Sequence, residues 1–364
     1  MVNLRHCTDD TPGITRQQIK GKWAYFAPDG SRITDREEID RLNAIALPPA
    51  YTDAWYCPYP NGHIQATGRD AKGRKQYRYH ADFTARQDKN KYLGAIEFGA
   101  ALPKLRRKVD ADLKKRKLDK DAVVAAVVRL IDTNFIRVGN EQYAKSNKSF
   151  GATTLRNRHL KRSGSKLMMR FKGKHGIVHE VPIRDSNLKR IVGKVQELPG
   201  QNLFQYTTDE GEACPITSAD VNDYIKAATG GDFTAKNFRT WGASVIAFEQ
   251  MLEAQEEERR KISLKTVLEP VAEALGNTPA ISRKSYVHPK LIEAARDNPK
   301  QPLGEVERPR PRKWLSSEEV GLLDFLLKGK RKRPTRAKPK AVEAVVAAAE
   351  QGPAKVDEVA EAVA

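Results

Sequence analysis

A tyrosine, two arginines and two lysines stand where apolar periodicity does not ask for them. Arg137 follows an apolar run in FIRVGNE, residues 135–141. Lys174 lies in the basic stretch FKGKHG, residues 171–176. Lys236 and Arg239 sit one helical turn apart in FTAKNFRTW, residues 233–241, and Asn277 and Tyr286 flank TPAISRKS, residues 278–285. Such a set suits in-line attack on a phosphodiester. The tyrosine would be the nucleophile. The arginines would hold the non-bridging oxygens as charge redistributes. A lysine can protonate the leaving oxygen, and neighbouring cations would lower its pKa toward that task.

Taken one at a time, these residues have plainer readings. Tyr286 alone reads as a packing residue of a helical region. Arg137 alone reads as a helix-end partner of Glu141. Spacing does not choose between Lys172 and Lys174. His175 and His179 are four apart, which suits a metal only on a helix. They fall in a predicted hairpin, so no metal site is expected.

Periodicity supplies the elements that would position the set. Residues 22–26, KWAYF, read as a strand before the turn at Pro28-Asp29-Gly30-Ser31. Residues 35–45 read as a helix capped by Asp35. Residues 54–59 and 63–67 read as strands around Asn61-Gly62. From Asp82 the texture is helical, and over 118–138 Val123, Val124, Val127, Leu130, Ile131 and Phe135 make one apolar face. Residues 167–183 read as a β-hairpin with a basic tip, and helical spacing returns over 218–228, 234–255 and 263–275. The fold class is therefore α+β. A small β-rich N-terminal domain is expected over 1–85, a larger, mainly α-helical domain with a β-hairpin over 86–325, and a tail over 326–364.

Lys and Arg number 65 against 46 Asp and Glu in 364 residues, a formal charge of +19. That balance points to a polyanionic partner. The run at 328–340 holds eight Lys or Arg and no acid, and residues 341–364 carry five acids and one Lys. Most of the excess therefore belongs to the body. The tail is expected to be disordered and to add sequence-independent affinity for phosphates. No apolar stretch long enough for a membrane span is read, and the first residues lack a signal-peptide core. Cys7, Cys57 and Cys214 are scattered and form no CxxC, so a reducing cytoplasm is the expected location.

Five collinear blocks carry a more specific signal: GRDAKGRKQYRYH at 68–80, RLIDTNFIRVGNEQYAKSNKSFGATTLRNRH at 129–159, FKGKHGIVHE at 171–180, FTAKNFRTWGA at 233–243 and GNTPAISRKSYVHP at 276–289. Across residues 15 to 295 the chain resembles the type IB DNA topoisomerases, in particular the compact bacterial and poxvirus-like branch. The resemblance implies a tyrosine-recombinase-like catalytic fold, with Tyr286 forming a 3′-phosphotyrosyl link, Arg137 and Arg239 as transition-state clamps, and Lys174 as the general acid. Asn277 matches a position that is His in much of the family. Asn can donate a hydrogen bond to phosphate but cannot carry a proton charge. Arg69, Arg74, Gln76, Tyr77 and Tyr79 fall in the N-terminal block that implies DNA contact, and Lys236 is a further DNA-binding candidate.

The resemblance further implies a monomeric clamp on double-stranded DNA, associated with the nucleoid, relaxing supercoils of both signs. No Walker motif and no acidic metal cluster is read, so neither ATP nor metal is expected as a cofactor. Two other readings remain open at this point. A tyrosine recombinase would use a similar Arg, Lys, Arg, Tyr set, but would more often bring a helical core-binding domain. A non-catalytic DNA-binding protein would keep only the scaffold.

Overall fold

The computed structural model describes residues 2–164, 166–257 and 262–327. The basic run at 328–340 and the segment after it lie outside the described residues. The chain divides into two compact units, 1–92 and 93 onward.

The first unit is built on a five-stranded antiparallel sheet. Its strands are β1 (Ile14–Ile19), β2 (Lys22–Phe26), β3 (Thr52–Tyr56), β4 (Ile64–Arg69) and β5 (Lys75–Tyr79), in the order β2-β1-β3-β4-β5. Helix α1 (Arg36–Ala44) lies between β2 and β3 in the chain. The Asp35 carboxylate caps it, accepting from Glu37 N and Glu38 N, as the acidic cap position predicts. Ile14, Tyr25, Leu42, Leu47, Tyr56 and Ala66 form the core, so one face of the sheet and the apolar side of α1 share their burial. The sequence did not separate β1 from its surroundings, because ITRQQI lacks apolar alternation after Ile14.

Helix α2 (Ala81–Leu113) leads into the second unit. At its centre is α3 (Lys120–Asn134), buried from Ala122 to Val128 and again at Leu130 and Ile131. A helix apolar on nearly every side is an interior helix. Then come α4 (Glu141–Asn147), strands β6 (Leu160–Ser163), β7 (Lys166–Lys172) and β8 (Val178–Ile183), and α5 (Ser186–Gln196). Strands β6, β7 and β8 make an antiparallel sheet. The predicted hairpin is β7–β8, and β6 adds a third strand to it. A short pair, β9 (Gln205–Thr207) and β10 (Ala213–Pro215), precedes α6 (Ser218–Thr229) and α7 (Ala235–Glu256). Helices α8 (Leu264–Leu275), α9 (Pro279–Ser285), α10 (Pro289–Asp297) and α11 (Ser317–Leu327) complete the unit.

One boundary differs from the sequence reading in a way that matters for the site. The apolar period runs on to Val138, but the helix stops at Asn134. Phe135 takes the left-handed conformation, φ 51°, and its N–H closes the last turn on Ile131 O. A non-glycine residue there is uncommon, and tertiary contacts hold it. Gly242 of α7 has no side chain, and the space a Cβ would take is filled by the Phe135 ring.

Candidate active site

Arg239 is the buried centre of the site, with 4% of its surface exposed. The first turn of α7 fixes it. Thr234 N donates to Asn237 Oδ1 at 2.9 Å, and Ala235 N to Asn222 Oδ1 at 3.1 Å. From one turn further on, the guanidinium reaches two helix ends. Nη1 donates to Phe135 O, just past α3, and Nη2 donates to Leu275 O at the end of α8, 2.8 Å away. Helix C-termini carry partial negative charge, so one cation satisfies one carbonyl at each of two helix ends. A guanidinium has five N–H groups, and Nε is buried without a partner. Burial, followed by the charge of Arg137, pushes this group down to about 10.

The left-handed turn at Phe135 takes the next residues out of α3 in an extended course. Arg137 O accepts from Ala152 N at 2.9 Å, and Val138 O from Thr153 N at 2.7 Å. The two segments approach closely enough that a Cβ on Gly151 would lie 2.5 Å from Arg137 O. Arg137 is half-buried, and its Nη2 donates to Asn277 Oδ1 at 3.0 Å. Glu141 pairs with Arg156 and not with Arg137, which removes the helix-end reading of Arg137.

Asn277 follows Gly276, whose φ of 57° ends α8. Its N–H returns to Ala272 O at 2.9 Å, and its Nδ2 is buried without a partner. A buried amide donor left unmatched in the free protein is costly and suits an incoming oxygen. Thr278 then caps α9, whose first residue is Pro279. Tyr286 closes α9 at φ −131°, ψ −47°, between two helices rather than inside one. The Arg239 guanidinium carbon lies 5.2 Å from the Tyr286 ring centre. Burial pushes the Tyr286 phenol up, but the cations Arg239, Arg137 and Lys236 outweigh it and leave the phenol below its ordinary value.

Arg137, Arg239, Asn277 and Tyr286 are thus brought together, with Lys236 exposed on the first turn of α7 within electrostatic reach. Lys174 stands on the exposed 3-10 turn, Lys174–Gly176, between β7 and β8, and no hydrogen bond joins it to the other four. Between that turn and Asn277 sits His179, which the sequence suggests only as a metal ligand to be discounted. A second signal was present: along β8, residues 179, 181 and 183 share one face, on which Val181 and Ile183 are buried. A polar residue on an apolar stripe is the informative exception. Among the described residues no group of three or more His, Cys, Asp or Glu is placed to hold a metal ion.

The N-terminal candidates lie on β4, β5 and the turn between them. Arg69 pairs with Asp53 at 3.2 Å, and Arg74 with Asp70 at 2.7 Å. Gln76 Nε2 donates to the same Asp70 carboxylate at 3.0 Å. Tyr77 and Tyr79 share a face of β5, are both largely exposed, and stack with ring centres 5.9 Å apart. Two stacked exposed rings, with the Lys75 amine 5.8 Å from the Tyr77 ring centre, have the composition of a stacking platform.

Two family models match successive parts of the chain. A family model described as eukaryotic DNA topoisomerase I, catalytic core, matches residues 80–308. A second, bacterial DNA topoisomerase IB, N-terminal domain, matches residues 22–70. The chain is similar to DNA topoisomerase 1B of Acanthamoeba polyphaga mimivirus, 34% identical over 79% of this chain and 88% of that protein. It is similar to DNA topoisomerase 1B of Vaccinia virus (strain Copenhagen) at 23% identity over 75% of this chain and 90% of that one. Among solved structures, the XerH site-specific recombinase bound to palindromic difH substrate aligns with a TM-score of 0.31 at 18% identity, covering 62% of this chain and 58% of that chain. That likeness is too slight to argue from. The catalytic-core match and the mimivirus relative place this chain in the type IB DNA topoisomerases.

Proposed function

We propose that this isomerase relaxes supercoiled DNA of both signs by cutting one strand with Tyr286, through a 3′-phosphotyrosyl intermediate. The observation that carries the reading is the surroundings of the Tyr286 phenol: the Arg239 guanidinium carbon lies 5.2 Å from its ring centre, and Arg239, Arg137 and Lys236 are the leading charges acting on it. That environment favours a phenolate and the anionic transition state of phosphoryl transfer together.

Each step balances in atoms and protons. The phenol proton passes to solvent, Tyr286 Oη bonds to phosphorus, and the bond to the 5′ oxygen breaks. Lys174 gives its proton to that oxygen. Arg137, Arg239 and Asn277 Nδ2 hold the non-bridging oxygens. After rotation, the 5′ hydroxyl attacks phosphorus, Lys174 recovers its proton, and Tyr286 leaves as a phenolate that takes a proton back from solvent. One phosphodiester is exchanged for another ester of similar energy, so the chemistry as written needs neither ATP nor a metal ion.

Double-stranded DNA is the partner. Residues 1–85 form the DNA-clamp domain, offering Arg69, Arg74, Gln76, Tyr77 and Tyr79. Residues 86–325 form the catalytic domain, with Lys236 as a further phosphate contact. All five reacting residues are on one chain, which suits a monomer acting on the nucleoid. The test is a nicked suicide duplex labelled on the cleaved strand. Covalent protein–DNA adduct mapped by peptide sequencing to Tyr286 supports the reading. An adduct on another residue, or none from a folded, DNA-binding protein, overturns it.

A further inference from the structure

His179 occupies the space between the turn that carries Lys174 and the loop that carries Asn277. Its ring stacks on Phe171, its partner in register across β7–β8, with centres 5.2 Å apart and planes 19° apart. A Cβ built on Gly173 would lie 2.6 Å from His179 Nε2, and one on Gly276 would lie 2.9 Å from Cε1. Glycine therefore stands on both sides of the imidazole, one residue before Lys174 and one before Asn277. The Gly173 side is the tighter. There Gly173 N donates to Ile177 O at 2.7 Å and Gly176 N to Gly173 O at 3.1 Å, closing the turn around the ring edge.

From this packing we propose that His179 is a positioning residue, whose imidazole sets the Lys174 turn at the height of the scissile phosphate. The role rests on the cleavage chemistry proposed above. Lys174 is exposed and, among the described residues, makes no hydrogen bond that would aim its amine. Its placement must therefore come from the turn, and the turn is seated on His179. Neutrality fits the same place. Burial, then the charges of Arg137 and Arg239, hold the imidazole below its ordinary range, so it fills the space without adding another cation beside those two. A general acid displaced by about 1 Å loses on the order of 100-fold in rate.

The experiment uses the full chain, a suicide duplex, and the same duplex with sulfur in place of the 5′ bridging oxygen. A thiol has a pKa near about 8.5, so a thiolate leaves without a donated proton. His179→Ala is expected to slow single-turnover cleavage of the oxygen substrate by about 10- to 100-fold while cleaving the sulfur substrate at nearly the wild-type rate. His179→Gln, planar and neutral, is expected to recover part of the oxygen rate, and guards against a variant that fails to fold. Equal loss on both substrates, or no loss on either, overturns the role. Wild-type protein forming no adduct with either substrate sinks the cleavage mechanism itself. Lys174→Ala that sulfur does not rescue sinks the general-acid assignment. Either of those results removes the basis for His179 as well, and the parallel lanes tell the three failures apart.

Discussion

Arg137 and Arg239 carry the same guanidinium but are held differently, and the difference is measurable. Arg239 ties the ends of α3 and α8 through two carbonyls from a buried position. Arg137 is half-buried, and among the described residues its guanidinium donates one hydrogen bond, to Asn277. Both substitutions to Lys should cost on the order of 100-fold in cleavage rate, because a point charge cannot replace the fork. Arg239→Lys should also cost about 2 kcal/mol of stability from a lost charge-assisted bond in the interior. Arg137→Lys should leave stability nearly unchanged. Urea melts beside single-turnover cleavage separate the two; equal destabilisation would contradict the role of Arg239 as a tie. Tyr286 offers a second test. Comparing phenolate absorbance titrations of wild type and Tyr286→Phe should show one tyrosine ionising below the ordinary range, drawn down by Arg239, Arg137 and Lys236 against the effect of burial. A missing tyrosine that titrates at or above the ordinary value would contradict the cationic site.

At the scale of elements, the end of α3 decides where Arg137 goes. Gly242→Ala puts a methyl into the Phe135 ring, and overpacking of this kind costs about 1–3 kcal/mol. The variant should lose both melting temperature and cleavage, since the same turn aims Arg137. Retained cleavage at lowered stability would separate the turn from the site. This turn is illegible in the sequence. The apolar period runs unbroken to Val138, and what stops the helix is a ring seated on α7, over a hundred residues away. Local patterns are legible where local forces decide them. The Asp35 cap, strand β2, hairpin β7–β8 and helices α6 to α8 match their expected spans within three residues. Helix α9 is hidden because PAISRKS is short and largely polar, and its form depends on the Thr278 cap and the burial of Ser282 and Val287 around it. Resemblance supplies the candidate set, and geometry adds what motifs do not show: Arg239 as a structural tie and His179 as the seat of the Lys174 turn.

Across the whole molecule, two features set stability and one sets affinity. Arg106 of α2 bonds Asp132 of α3 and Glu319 of α11, each bond within 2.9 Å, and Glu319 also accepts from Trp241 Nε1 at 3.1 Å. Arg106→Ala strands two poorly solvated carboxylates and should cost about 3–5 kcal/mol in urea unfolding. Among the histidines held neutral by burial, His159 and His288 are shifted furthest and contribute most to the pH dependence. Burial, aided by neighbouring cations, lowers His159 and His288 from 6.5 to about 4. Between those values the unfolded chain binds protons that the folded chain does not, so stability falls as pH falls from 6.5 toward 4. His288→Asn, which can still cap α10, should flatten that slope in thermal melts. An unchanged slope would contradict the assignment. The formal charge of +19 favours binding to phosphates, and affinity falls with each phosphate contact removed. Removing residues 328–364 should weaken DNA binding and lower its salt slope by up to about 0.9 for each phosphate that the tail neutralises, while cleavage at saturating protein persists.

The most direct test of the central claim is plasmid relaxation in excess EDTA without ATP, run on negatively and positively supercoiled DNA with wild type and Tyr286→Phe side by side. The mechanism predicts that wild type relaxes both signs and that the variant, still folded and still binding DNA, relaxes neither. Relaxation by the variant, or a wild-type requirement for ATP or metal, would contradict it.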